Sequence, residues 1–439
     1  MSLFGAMNSA ISGLAAQSDA FGNISDNVAN SQTVGFKRVD THFVDYLTTS
    51  SAITNDPGAV VARPDYVNNV QGTVTQTDGS LNLAVAGSGL FAVSQQTGVL
   101  NGVPTFNPQQ YYTRAGDFAL NKDGYIVNSA GQFLNGWLAN QTTGAVSQNQ
   151  IVPIQIAQTV LNPVATGNVV LSANLPATPT AGTGTPASPI SSDITVYDAL
   201  GTAHTVSLGW VQNAANDWTV SISAPDAATP AIGSANVQFG ATSGSPVPAG
   251  TVGQIGGVTG AVTSPGYAAG TAAVMDLTMD FGTGAQTIQL SLGLYGGSTG
   301  VTQYAGTAYN LQGLTQDGVP PGSYSGVTAQ ANGNIIINYN NGQTRTIAQV
   351  PLILFNNPNA LQRQNGQSFT ATIASGTPLA EPASINGAGN LVTSSVESSN
   401  VDIASEFSKL IVAQRAYSAN TKVVTTSDDM LQQTIDMKR

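Results

Sequence analysis

Two apolar stripes stand at opposite ends of this 439-residue chain, and they constrain its fold more than any other feature. Positions 3, 7, 10, 14, 17, 21, 24 and 28 hold Leu3, Met7, Ala10, Leu14, Gln17, Phe21, Ile24 and Val28, seven of eight apolar at alternating steps of four and three. Ile403, Phe407, Leu410, Gln414, Tyr417, Thr421, Val424, Asp428, Leu431 and Ile435 repeat the spacing, with seven of ten apolar. Such spacing is the seam of a helix. The first helix would run about 40 Å at 1.5 Å per residue, and one amphipathic helix of this kind is marginal alone in water. Each stripe can be the other's partner. Pairing them brings the chain ends together and loops everything else out between them. Periodicity alone leaves open whether they are ordinary core helices or a coiled-coil seam within or between subunits. Gly5, Gly13 and Gly22 are weak points, so the first helix is expected to order on assembly. Asn400 and Asp402 offer an N-cap region for the second helix, and Glu406 and Lys409 a weak i,i+3 pair.

Between the stripes, charge nearly vanishes. Residues 123–344, a stretch of 222, hold no Lys or Arg, eight Asp and no Glu. The whole chain has 12 basic and 23 acidic residues, with only 8% charged, where globular domains average about 25%. Gly, Ser, Thr, Asn, Val and Ala fill the middle and favour strands and turns over helices. The expectation is a β-rich interior kept soluble by neutral polar side chains. An acidic chain this poor in cations is a poor nucleic-acid binder. With no Cys and two His, thiolate zinc sites, Cys nucleophiles and most imidazole metal sites are excluded. No metal or cofactor is expected. No apolar run approaches the ~20 residues of a membrane span, so no membrane insertion is expected. Residues 1–36 contain no Lys or Arg. They lack the basic start of a cleaved signal peptide. The chain is expected to stay in the cytoplasm or to leave by a route that cleaves nothing.

Turn chemistry divides the middle. Asp78-Gly79, Asp123-Gly124 and Asn341-Gly342 each separate apolar runs, the strongest short hairpin signal. The run from Pro176 to Pro189 reads as a linker or long loop, and 225–273 is poor in bulky side chains apart from Phe239 and Tyr267. Strands are expected over 195–222 and 274–295. Hairpin chemistry resumes after about 325 and includes Pro351-Leu352-Ile353-Leu354-Phe355. One β domain inserted into another fits this order. The expected domains are 1–30 with 395–439 (helical), 31–70 (connecting segment), 71–165 with 325–394 (first β domain) and 166–324 (inserted outer β domain).

Catalytic constellations are thin. His204 follows Asp198, with Ser207 nearby, but no Gly-x-Ser-x-Gly elbow marks a nucleophile, and a surface His on a strand is the simpler reading. Gly182-Thr183-Gly184 and Gly296-Gly297-Ser298 lack the Lys-Ser/Thr and following helix of a phosphate loop. Alternation along Met275-Asp276-Leu277-Thr278-Met279-Asp280 puts both carboxylates on the solvent face of a strand. No enzyme activity is expected.

The ends carry a recognisable pattern. Ser9-Ala10-Ile11-Ser12-Gly13-Leu14 and Asn27-Val28-Ala29-Asn30-Ser31-Gln32-Thr33-Val34-Gly35-Phe36-Lys37 resemble the N-terminal signature of the flagellar rod and hook axial protein family. Three C-terminal stretches are similar to the same family: Glu397-Ser398-Ser399-Asn400-Val401-Asp402, Leu410 through Tyr417, and Asp428-Asp429-Met430-Leu431-Gln432. Ala84 through Phe91 and Tyr112-Thr113-Arg114-Ala115-Gly116-Asp117-Phe118 resemble its shared β domain. Thr195-Val196-Tyr197-Asp198-Ala199-Leu200-Gly201 resembles the start of the outer domain of its hook members.

For a hook member, the resemblance implies a homopolymer forming a curved hollow tube, the universal joint that passes motor torque to the filament. It implies paired terminal helices lining an export channel, and outer β layers that slide as the tube turns. Implied partners are the distal rod, the hook cap during assembly, the hook–filament junction protein and the flagellar type III export apparatus. The implied location is the extracellular hook, reached without a cleaved signal. Subunit assembly is expected to use Leu3, Met7, Leu14, Phe21, Ile24, Val28, Asn30, Gly35 and Phe36 near the start. Near the end it is expected to use Phe407, Leu410, Gln414, Tyr417, Val424, Leu431 and Ile435. The alternatives are another axial protein of the family or an extracellular adhesin or carbohydrate-binding module.

Overall fold

The structure, a computed structural model, describes residues 3–50, 55–140, 144–157, 160–177, 190–306 and 308–437. Gly182-Thr183-Gly184 and most of the 176–189 run lie outside the described residues. The architecture is mainly β with one long helix at each end, α1 (Leu3–Ala29) and α2 (Ile403–Asp436). The chain divides into two compact units: residues 1–158, 325–338 and 344–439 form one, and 159–324 with 339–343 the other.

The first unit holds both helices. After α1 come two strands, β1 (Val39–Ser50) and β2 (Asn55–Tyr66), which among the described residues pair only with each other. Each has 12 residues, about 40 Å when extended. The expected connecting segment thus contains a long antiparallel hairpin, which no turn signal had announced. The rest of the unit is a many-stranded sheet and small ladders that join distant parts of the chain. Val74–Gln76 pairs with Ser395–Glu397, Leu83–Ala86 with Asn390–Thr393, and Leu90 and Phe91 with Ile353 and Leu352. Leu90, Ala92, Tyr112, Ile353, Leu361 and Phe369 close one core cluster there.

Two of the three hairpin signals hold. Ala119–Leu120 pairs with Ile126–Val127 across Asp123-Gly124, and Asn334–Tyr339 with Thr344–Gln349 across Asn341-Gly342. Gly124 and Gly342 both sit at φ 80°, as such turns require. Asp78-Gly79 does not form a hairpin. Neither residue takes positive φ, and the strands on either side pair instead with C-terminal segments. Asn82 closes the bend by donating to Thr77 Oγ1 at 2.7 Å.

In the second unit, five consecutive strands form an antiparallel meander: Ile190–Tyr197, Ala203–Ala214, Asp217–Ser223, Ala231–Phe239 and Val252–Gly260. A six-stranded sheet completes the unit, with Asn168–Asn174 parallel to Ala285–Leu294 and antiparallel to Asn310–Gln316. The two sheets share one core. Trp210, Trp218, Val220 and Ile222 from the meander join Met275, Leu277, Met279, Ile288 and Leu290. Side chains alternate inward and outward with the period of a strand. Asp276 and Asp280 accordingly lie outside the buried row of Met275, Leu277 and Met279. Two strands, 231–239 and 252–260, occupy a stretch read as poor in bulky residues. Their inward positions are Ile232, Ala235, Val237, Phe239, Val252 and Ile255, in one core cluster with Trp218, the register partner of Val237.

Candidate functional site

The joined chain ends carry a constellation of polar and apolar contacts between α1 and α2. α2 starts at a true N-cap: the Asp402 carboxylate accepts from the backbone N–H of Ala404 and Ser405, satisfying donors the first turn leaves open. Asn400 is not part of the cap. It donates to the carbonyls of Val67 and Val70 and accepts from Arg38 N–H.

The helices run antiparallel. Asn27 meets Glu406, the Phe21 and Tyr417 rings meet edge-on at 6.4 Å, and Gly13 faces Asn420. A Cβ on Gly13 would lie 2.7 Å from the Asn420 amide nitrogen. Gly13 therefore permits close approach and is not simply a weak point. The buried face of α1 is built from small residues: Ala10, Gly13, Ala16 and Ala20, then Ile24 and Asn27.

The seam on α2 differs from the expected stripe. Its buried residues are Glu406, Ala413 and Ser427, flanked by half-buried Leu410, Asn420, Val424 and Leu431. Among the expected assembly residues, Ile24 is buried, and Leu3, Met7, Leu14, Phe21, Val28 and Asn30 are half-buried. Leu410, Val424 and Leu431 are also half-buried, while Phe407, Gln414, Tyr417 and Ile435 are exposed. Choosing large apolar residues moved the stripe off the true seam, half of which is Glu, Ala, Asn and Ser. α1 needs no bulk opposite its small-residue face, because the backbones approach closely there. Ile11, Ile411, Val412, Val423 and Met430 are further large side chains left exposed on the two helices.

Asn27 ties α1 to both neighbours. Its Nδ2 donates to Val39 O at 2.9 Å and to Glu406 Oε2 at 3.1 Å, and its Oδ1 accepts from Val39 N–H at 2.9 Å. It pairs with β1 as another strand would. Glu406 is 1% exposed and binds Lys409 Nζ at 2.7 Å, which also binds Asp40 at 2.6 Å. The expected weak surface pair is thus part of a partly buried network. Burial alone would lower the Lys409 pKa, but the hydrogen bonds it donates to the Asp40 and Glu406 carboxylates, with their charge, together raise it. Beside this network, α1, β1 and α2 line a groove of about 550 Å³ that includes Ile24, Phe43, Val412 and Ala413.

A second cluster sits at the root of the helices. Glu397, wholly buried, accepts from Lys37 at 2.5 Å, Arg114 at 2.8 Å and Gly72 N–H at 2.8 Å. Burial lowers the Lys37 pKa, and Glu397 opposes that shift. Gly35, at φ 69°, donates its N–H to Glu397 O, and a Cβ there would collide with the Ala115 backbone. Phe36 is buried with the Arg363 guanidinium 4.3 Å above its ring. Asn30 holds the end of α1, donating to Asp26 O and Oδ1. The motifs holding Lys37, Arg114 and Glu397 were each visible in sequence, but their meeting was not. The available signal was the presence of ionisable residues inside apolar motifs of a charge-poor chain.

Asp198 and His204 also come together. His204 Nε2 lies 3.6 Å from Asp198 Oδ2, its Nδ1 lies 3.6 Å from Asp226 Oδ2, and its ring stacks on Phe281 at 3.9 Å. His204 is buried, contrary to the surface expectation. Ser207 is an odd number of positions along the same strand and faces away. No triad forms. Gly296-Gly297-Ser298 is a turn between Ala285–Leu294 and Val301–Thr302. Among the described residues, no cluster of His, Cys, Asp and Glu is arranged to hold a metal, and no helix is long and apolar enough to cross a membrane.

Four family models match successive parts of the chain. Residues 7–37 match the family described as flagella basal body rod protein, and 392–437 match the flagellar basal body rod FlgEFG protein C-terminal family. Residues 84–172 match the flagellar hook protein FlgE/F/G D1 domain, and 170–319 the flagellar basal body protein FlaE D2 domain. The flagellar hook protein FlgE of Brucella suis is 30% identical over 443 residues, covering 100% of both chains. The chain belongs to the flagellar hook protein family. That of Salmonella typhimurium is 28% identical over 444 residues, covering 98% of this chain and 99% of its own. A solved structure, Helicobacter pylori flagellar hook protein FlgE2, aligns over 72% of this chain and 98% of that one at 14% identity, with a TM-score of 0.48.

Hook-family proteins are structural subunits, not enzymes; they self-polymerise within the flagellar axial structure and belong to the flagellum. In this hook-family chain, the N-terminal match contains Lys37, the D1 match Arg114 and the C-terminal match Glu397. Three separately recognised segments therefore meet at one buried carboxylate.

Proposed function

We propose that this chain assembles into a curved hollow tube that acts as the universal joint between flagellar motor and filament. One observation carries the assembly reading. Large apolar side chains, including Phe407 at 52% and Val412 at 67% exposure, stand in water on helices whose inner faces are already packed. An exposed apolar face of this kind marks an association surface. The proposed inner layer is the terminal helices, paired like a coiled coil and packed against those of neighbouring copies. Leu3, Met7, Leu14, Phe21, Ile24 and Val28 of one helix work with Phe407, Leu410, Gln414, Tyr417, Val424, Leu431 and Ile435 of the other. Asn30, Gly35 and Phe36 shape the exit into the connecting segment, 31–70, which bridges subunits. The β domain of 71–165 with 325–394 and the inserted 166–324 form the outer layers.

The outer layers are suited to sliding. The unit of 159–324 with 339–343 contains no Lys or Arg. Copies of it therefore have no cation–carboxylate pairs from Lys or Arg with which to fix one register. Proposed partners are the distal rod, the hook cap, the hook–filament junction protein and the type III export apparatus, which passes the chain without signal cleavage. Electron microscopy of the purified protein after raising salt or concentration tests the reading. Curved hollow tubes are expected; straight solid fibres or persistent monomers would contradict it.

A further inference from the structure

We propose that Glu397 is a completion latch, a single carboxylate without which the first unit cannot close. It neutralises two buried cations from far earlier in the chain, Lys37 at a separation of 360 residues and Arg114 at 283. Among the described residues, Lys37 has the Val70 carbonyl besides Glu397, and Arg114 those of Val85 and Gly87. Without residue 397, closing the unit would bury two like charges against backbone dipoles alone. A broken buried ion pair shifts the folding equilibrium by about 100-fold or more. The carboxylate also takes the Gly72 N–H, and its own strand, Ser395–Glu397, completes the ladder with Val74–Gln76. Four stretches, at 35–37, 70–72, 85–87 and 114, therefore wait on one late residue.

The second unit has no such dependence. All its residues precede 397, and it contains no Lys or Arg to neutralise. A chain that becomes available from its N-terminus onward thus folds its second unit first. Its two ends stay open until both are present. The device keeps half-made chains from presenting a closed first unit, and it holds whether or not the polymer is a curved tube.

Pulse-labelling hydrogen exchange during refolding of the full chain tests this. In the native sequence, amides of Leu90–Ser94 and Tyr111–Thr113 should gain protection in one phase with Val74–Gln76 and Ser395–Glu397. Glu397→Gln should raise the open population of the first unit about 100-fold and leave the second unchanged. In the triple variant K37M/R114M/E397M, which replaces the ions by apolar side chains of similar length, Leu90–Ser94 and Tyr111–Thr113 should gain protection ahead of Ser395–Glu397. Early protection of these strands in the native chain would overturn the latch. So would unchanged single-phase closure in the triple variant, since the coupling would then come from strand pairing and not charge. If the triple variant does not fold, because the Gly72 N–H and the Val70, Val85 and Gly87 carbonyls lose their partners with the ions, Glu397→Gln decides: an unchanged open population of the first unit would overturn the latch.

Discussion

Replacing Asn27 by Ala should undock the first helix from both of its neighbours. Asn27 is 1% exposed and makes three hydrogen bonds, two with the Val39 backbone and one with the Glu406 carboxylate. Neutral bonds contribute about 1 kcal/mol each and a bond to a charged group about 1.5–3 kcal/mol. Val39 is itself buried, so its N–H loses its partner with no water to replace it. A destabilisation of about 3.5–5 kcal/mol follows, about 400-fold or more in the local opening equilibrium. Native-state hydrogen exchange across α1 and β1 reads it directly, with the 203–223 strands as internal control. Asn27→Asp separates geometry from charge. It keeps the acceptor for Val39 N–H but sets a second carboxylate against Glu406. The folded state then disfavours ionising both groups, so the folded-state pKa is raised. The variant should be worse than Asn27→Ala at pH 7 and recover as the pH falls and the two carboxylates come to share a proton. If both variants exchanged within threefold of the native chain, the account of the helix root would be wrong.

Other outcomes follow from single sites. Trp218→Ala removes a fully buried ring from the sandwich core and should destabilise the second unit by about 3–5 kcal/mol, seen as a lowered calorimetric transition while exchange at Leu90–Ser94 is unchanged. Burial pushes the Asp198 carboxyl up, but the N–H groups of Thr202 and Leu200 and the nearby His204 outweigh it, and its pKa is lowered. Its contribution is therefore present above about pH 4 and lost as the pH falls through the depressed folded value. Urea titrations should show Asp198→Asn weaker than native at pH 7 and the gap closing toward pH 2. Gly35→Ala should disrupt the root of the helices, since φ 69° and the Ala115 backbone both oppose a side chain; exchange at Gly35–Lys37 and Ser395–Glu397 should rise together. Phe407→Ser with Val412→Ser should leave monomer stability within about 0.5 kcal/mol but raise the concentration needed for polymerisation, measured by sedimentation.

How much could be read from sequence depended on whether the signal was local. Helix ends, strand alternation around Met275–Met279 and the turns at Gly124 and Gly342 all rest on residues within a few positions of each other, and they were legible. The seam on α2 was not, because it depends on what α1 presents. A small-residue face at Ala10, Gly13, Ala16 and Ala20 accepts Ala413 and Ser427, and it leaves the large residues for the outside. Asp78-Gly79 failed for a related reason. Local turn chemistry there lost to pairing with strands more than 300 residues later. The Lys37–Arg114–Glu397 cluster was invisible for the same cause. Each residue sat in a recognised motif, but no spacing rule connects positions 283 and 360 apart.

The strands at 231–239 and 252–260 show another limit. Small inward positions such as Ala235 share one core cluster with Ile232, Val237 and Phe239 of the same strand and with Trp218, whose register partner is Val237. Low charge, by contrast, proved readable as a property of a whole unit. The stretch without Lys or Arg spans every residue of the second unit.

The central claim is that the outward apolar rows of the terminal helices form the contact between copies. Hydroxyl-radical footprinting of monomer against polymer measures it most directly. Phe4, Phe407, Val412 and Met430 are all exposed in the single chain and should be reactive there and shielded in the polymer. Leu200, exposed at 70% in the second unit, should change far less. Unaltered reactivity at the helix residues in an intact polymer would contradict the account.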